Sequence, residues 1–122
     1  MTRLGWEQAV NFTASLFFQS FEISDSCVRA ALLSFGTEAY LYSLLTQGTN
    51  QLELTNSLNV MRQEFRNQWT NTGAAIKLMS DVIFTSANGD RDDVQNVAVI
   101  ITDGPSNRNP ETTIPNAQVG VN

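Results

Sequence analysis

Asp103 closes the run Val97-Ala98-Val99-Ile100-Ile101-Thr102-Asp103-Gly104, in which an apolar, largely β-branched stretch stops at a hydroxyl, a carboxylate and a glycine. A run of that length and composition reads as a strand covered on both faces, as in the centre of a parallel sheet. Open α/β sheets bind ligands beyond the carboxyl ends of their strands, so a carboxylate at this point is placed to hold a metal ion or a polar ligand group. Asp and Gly also make ordinary strand-ending turns, and that reading competes with the first. A second set of oxygens, Thr70-Asn71-Thr72-Gly73, precedes an apolar stripe and puts hydroxyls at the start of a helix.

Other chemistry is narrowed by what the composition lacks. With no His and a single cysteine, Cys27, the chain has neither an internal disulfide nor the usual ligand set of a zinc enzyme, and no Ser/His or Cys/His hydrolase fits. Cys27 sits beside apolar neighbours at the start of an expected strand, which reads as an inert core thiol. A Mg²⁺-dependent phosphoryl-transfer or hydrolytic α/β protein also places an aspartate after a central strand. The sequence, however, has no glycine-rich phosphate loop and no assignable nucleophile or carboxylate pair, so a non-enzymatic role is expected. Asn88-Gly89-Asp90-Arg91-Asp92-Asp93 is acidic enough to suggest a calcium loop. Its glycine precedes the carboxylates and no glutamate closes it, so it reads as a solvated loop.

The net charge of −5, with Lys77 as the single lysine and no basic run, argues against nucleic acid or an anionic membrane as the main partner. Cationic partners or a divalent metal fit better. Met1 to Gly5 lacks the apolar core of a signal peptide, and no stretch approaches the length of a membrane span. Asn11-Phe12-Thr13 matches the acceptor pattern for N-glycosylation, but it falls in a helical pattern and reads as part of a helix face rather than a surface loop.

Several elements must position Thr70 and Asp103. Trp6, Ala9, Val10, Leu16, Phe17 and Phe21 recur at helical spacing and predict an amphipathic helix. Asp25 and Ser26 supply turn chemistry before Cys27 to Phe35, which reads as a buried strand closed by Gly36. Ala39 to Leu45 follows after so short a gap that it must be an antiparallel neighbour. Asn50 to Phe65 is a second helix, with Thr49 or Asn50 as its cap, and Ala74 to Phe84 a third. After Gly104 the chain reads as loop, with one helical turn near Ala117 and a frayed end. At 122 residues there is room for one domain, though that is short for a complete doubly wound sheet.

Together, Arg29 to Phe35 before a hairpin, Thr70-Asn71-Thr72-Gly73-Ala74-Ala75-Ile76 at a helix start, and Val97 to Gly104 with its Ile-Thr-Asp-Gly ending resemble a von Willebrand factor type A domain from about Gly5 to Ser106. The resemblance implies a doubly wound, Rossmann-like α/β fold: a mostly parallel sheet with one antiparallel edge strand. It also implies a metal-ion-dependent adhesion site at the carboxyl edge of that sheet, where Thr70 matches the family's metal-binding threonine and Asp103 its aspartate. The family's Asp-x-Ser-x-Ser motif and first strand belong just before the helix near Trp6, where this chain has Met1 to Gly5. Its last strands and helices belong after Ala117. Residues 1–122 therefore read as a single, truncated domain, and the missing strand exposes a sheet edge that favours self-association.

A hard dication wants about six oxygen ligands, so with Thr70 and Asp103 alone Mg²⁺ or Mn²⁺ is expected to bind weakly or not at all. For the parent domain the resemblance implies an adhesion module that engages an extracellular or matrix protein such as collagen, in a secreted or extracellular protein. The alternative is a structural or scaffold module without a working metal site, in which Thr70 is a helix cap and Asp103 a turn residue.

Overall fold

The computed structural model describes residues 1–120. Helix α1 spans Arg3–Ser15 and starts where the Thr2 hydroxyl accepts the Gly5 N–H at 3.0 Å. It widens into a π-helical turn, Leu16–Ser20, which extends the apolar stripe as expected. Helix α2, Gln51–Gln63, is capped by Asn50, whose Oδ1 accepts from Leu52 N at 2.8 Å and Glu53 N at 3.4 Å. Its buried face carries Leu54, Leu58 and Met61, spaced four and three residues apart.

These residues join Val10 of α1, Ile23, Ala30 and Leu32 in one core. Polar bonds lock the same two helices: Trp6 Nε1 donates to the Arg62 carbonyl, and Arg62 Nη1 donates to Glu7 Oε2 and Asn11 Oδ1, all at 2.9 Å.

The hairpin forms where the short gap requires it. Strand β1, Leu32–Phe35, pairs antiparallel with β2, Ala39–Ser43, in the register Leu33↔Leu41 and Phe35↔Ala39, with an irregularity between Leu32 and Leu33. The turn closes as Gly36 N donates to the Glu38 carbonyl at 2.8 Å. Helix α3, Thr72–Leu78, ends in a second π-helical turn, Met79–Ile83. Both α2 and α3 lie against the hairpin, α1 packs on α2, and helix α4, Thr113–Gly120, packs on α3. Gly73 lets α3 come close to the residue before α4, where a Cβ would run into Thr112, and its carbonyl accepts from Asn116 Nδ2 of α4 at 2.9 Å. Helix α4 exceeds the single turn expected near Ala117; the chain end expected to fray, residues 121–122, lies outside the described residues. No described helix is long and apolar enough to cross a membrane.

Three expectations are corrected. The strand from Cys27 reaches the ladder only at Leu32, because the turn through Asp25 and Ser26 folds the chain back on itself. Ser24 N bonds the Val28 carbonyl at 3.1 Å and Val28 N the Glu22 carbonyl at 3.0 Å, leaving an isolated parallel bridge between Ile23 and Val28. Cys27, on the outside of that turn, is exposed rather than a core thiol.

The third correction is larger. Val97 to Ile101 is not a strand, and the described sheet is the two-stranded antiparallel hairpin, not a mostly parallel doubly wound one. Val97 is 70% exposed, Val99 57% and Ile100 45%. The physical cause is a cleft of 510 Å³ whose lining includes both Ala30 to Leu33 and Val97 to Ile101. Ladder partners must lie about 4.8 Å apart, and these two runs are separated by open space instead.

Candidate functional site

Thr70 precedes α3 but does not cap it. Asn71 does so, its Oδ1 accepting the Ala74 N–H at 3.0 Å while its Nδ2 donates to the Thr37 carbonyl at 3.1 Å. This corrects the capping role considered for Thr70 and leaves its hydroxyl without a hydrogen bond among the described residues. The Thr70 backbone is clamped instead. Its N–H donates to Asn107 Oδ1, and its carbonyl accepts from Asn107 N at 2.9 Å, Arg108 N at 3.1 Å and Ser106 Oγ at 3.1 Å. The loop that follows Asp103 is thereby tied to the start of α3.

Asp103 stands in a turn in which the Thr102 hydroxyl donates to the Gly104 carbonyl at 3.1 Å. Its carboxylate is half-exposed and lies 3.1 Å from the ammonium group of Met1 through Oδ2. Thr70, Asp103 and Met1 line one cavity of 120 Å³, together with Gly36, Trp69 and Thr102. Two residues far apart in sequence thus share a cavity at the end of β1, and the turn reading of Asp103 holds alongside that placement.

Electrostatics at this cavity come from both signs of charge. Arg66, on its wall, stacks its guanidinium 3.7 Å over the Tyr40 ring, donates to the Tyr42 hydroxyl at 2.6 Å and pairs with Glu64 at 3.3 Å. Hydrogen bonding with Tyr42, supported by the charge and hydrogen bond of Arg66, holds the Glu64 carboxyl below its ordinary range against an opposing effect of desolvation that is second only to the Tyr42 bond. Bonding with Tyr42 likewise raises the Arg66 guanidinium above its usual value.

The oxygens present do not make a metal site by themselves. Asp103 is a single carboxylate already facing a cation, and among the described residues no three His, Cys, Asp or Glu side chains converge to hold an ion. Spacing alone did not point to Met1 on the cavity wall or to Ser106 and Asn107 on the Thr70 backbone. Ser and Asn just after a Gly-Pro step are turn formers whose side chains cap nearby backbone, which was the available signal.

Comparison with known proteins follows the same residues. The family model of the von Willebrand factor type A domain matches residues 1–121. The collagen alpha-6(VI) chain of Homo sapiens is 28% identical over 90 residues, which are 72% of this chain and 4% of that protein. The chain therefore spans a small part of the curated relative it matches.

Proposed function

This chain belongs to the von Willebrand factor type A family, and from that premise we propose that it is a protein-interaction module of the adhesion type, acting in an extracellular protein and engaging a matrix protein such as collagen. The observation that carries the reading is the shared cavity of Thr70 and Asp103 beyond β1. A loop-built cavity at one end of an α/β domain is where this architecture engages polar ligand groups. The role is binding rather than catalysis, since the cavity offers no nucleophile and base in mutual reach.

In this reading the domain is incomplete over residues 1–122. A further strand occupies the cleft between β1 and Val97 to Ile101, which makes the sheet doubly wound and mostly parallel with β2 as its antiparallel edge. The same upstream segment brings an Asp-x-Ser-x-Ser motif to the cavity. Thr70 and Asp103, together with that motif, would hold Mg²⁺ or Mn²⁺, which would supply a Lewis-acidic position for an acidic group of the partner.

The turn at Asp103, in which the Thr102 hydroxyl donates to the Gly104 carbonyl at 3.1 Å, favours a second reading, a scaffold module with no working metal site. Binding of an upstream-extended chain to immobilised triple-helical collagen and other matrix proteins, with and without a chelator, separates the two. The adhesion reading expects binding that is lost on chelation and on Asp103→Ala. Binding that survives both, or no binding to any of them, replaces it with the scaffold reading.

A further inference from the structure

We propose that Asn11 is an N-glycosylation site. This rests on the extracellular reading above and adds to it a covalent modification of the α1 surface. Asn11-Phe12-Thr13 carries the acceptor pattern with threonine at its third position. In the folded domain Asn11 is exposed on α1. Its Oδ1 accepts from Arg62 Nη1 at 2.9 Å, while Nδ2, the atom that carries a glycan, donates to nothing among the described residues. Glycosylation at Nδ2 keeps the amide oxygen, so the link to Arg62 and through it to Glu7 survives the modification.

The helical setting that argues against a surface-loop acceptor applies after folding. In the folded domain the Thr13 hydroxyl is half-buried and donates to the Ala9 carbonyl at 2.9 Å, so the transferase cannot read it there. Transfer must come first, and the chain order allows it. Helix α1 packs on α2, whose residues Leu54, Leu58 and Met61 follow Asn11 by more than forty positions and reach the lumen after it. A lone 13-residue helix is marginal in water, so Asn11 is presented as flexible chain at that stage.

The chemistry balances with a lipid-diphosphate-linked oligosaccharide as donor. Asn11 Nδ2 attacks the anomeric carbon and the new C–N bond forms. The bond from that carbon to the diphosphate oxygen breaks, the lipid diphosphate leaves, and Nδ2 gives up one proton. Phe12, 53% exposed beside the acceptor, offers an aromatic face on which the apolar side of the first sugar can rest.

The test expresses residues 1–122 behind a cleavable secretory signal in eukaryotic cells and reads intact mass in whole lysate, before and after peptide-N-glycosidase. The wild type should carry the mass of one oligosaccharide, which the enzyme removes, leaving an aspartate in place of Asn11. Asn11→Gln and Thr13→Ala should lose that mass and Thr13→Ser keep it. A lumenal wild-type chain, signal removed, without added mass overturns the inference and leaves the adhesion reading untouched. A glycosylated chain whose upstream-extended form binds no matrix protein overturns the adhesion reading alone.

Discussion

The ammonium group of Met1 faces Oδ2 of Asp103 across 3.1 Å, on the wall of the cavity that also holds Thr70. The acidic group best placed for a cation therefore already has one. A Thr hydroxyl is neutral, so Asp103 would have to offset the partial dehydration of a small dication while also giving up this contact. Residues 1–122 are expected to bind Mg²⁺ or Mn²⁺ weakly or not at all by calorimetric titration. An upstream-extended form with an Asp-x-Ser-x-Ser motif is expected to bind stoichiometrically, and Asp103→Ala in that form to weaken binding by at least about tenfold, roughly 1.4 kcal/mol. Tight binding by the short chain, or undiminished binding by the extended variant, contradicts the ligand assignment.

Gly48 marks a different kind of constraint. Its carbonyl accepts the Ala30 N–H at 3.0 Å and its own N–H donates to the Leu44 carbonyl at 3.0 Å, which presses two backbones together. A Cβ there would overlap the Ala30 carbonyl, and backbone yields little. Gly48→Ala should destabilise the fold by about 1–3 kcal/mol. Gly104→Ala, with nothing within 4 Å of the added carbon, should stay within about 0.5 kcal/mol of the wild type. Urea midpoints at constant slope measure both, and equal effects would show that the Ala30–Gly48 approach is not a tight one.

Bonding with Tyr42 lowers the Glu64 carboxyl in the folded chain, with Arg66 adding its charge. A carboxyl lowered by folding stabilises the folded state above its unfolded value, near 4.5, and loses that contribution as pH falls through the folded value. Tyr42→Phe removes the leading cause. The variant should be less stable than the wild type at neutral pH, and the gap should narrow as pH drops below the ordinary glutamate range. Thermal midpoints of both proteins at pH 7 and pH 3 give the comparison. A gap that widens in acid would mean that Glu64 does not carry the effect.

How far the sequence could be read depended on whether each feature carries its partner within reach. The α1 and α2 stripes, the Asn50 cap and the tight Gly36 hairpin are local, set by periodicity, side-chain oxygens and loop length, and they appear as expected. Asn71 took the capping role over Thr70 because the cap is decided by a single φ/ψ step that spacing does not resolve. Val97 to Ile101 has the composition of a buried strand, but strand identity needs a neighbour at ladder distance, and no composition supplies one. Cys27 turned outward for a related reason, since its surroundings are set by the Ile23–Val28 closure rather than by its apolar sequence neighbours. The expectation that Thr70 and Asp103 lie near one another comes from their places at a helix start and a strand end together with the family pattern, whereas the Met1 contact with Asp103 and the Asn107 contact with Thr70 depend on where the chain returns in space.

Hydrogen exchange tests the sheet itself. Among the described residues, the amides of Val97 to Ile101 have no backbone hydrogen bonds and Val97 and Val99 are more than half exposed, so these amides should exchange at close to unprotected rates in residues 1–122. Those of Ser34 and Tyr40, which alternation from the Gly36–Glu38 bond makes the hydrogen-bonded pair of the hairpin, should be slower. If a strand fills the cleft in the upstream-extended form, both Val97 to Ile101 and the second edge of β1 acquire ladder partners at the spacing the sheet requires. Protection across Val97 to Ile101 should then rise by about a hundredfold or more, roughly 2.8 kcal/mol at 1.4 kcal/mol per decade. Filling the cleft also covers Val97, Val99 and Ile100, which should lower the tendency of the short chain to associate at high concentration. Unchanged exchange in the extended form would mean that the cleft is a cavity of the folded domain, and that Val97 to Ile101 is a covered loop rather than a strand awaiting its neighbour.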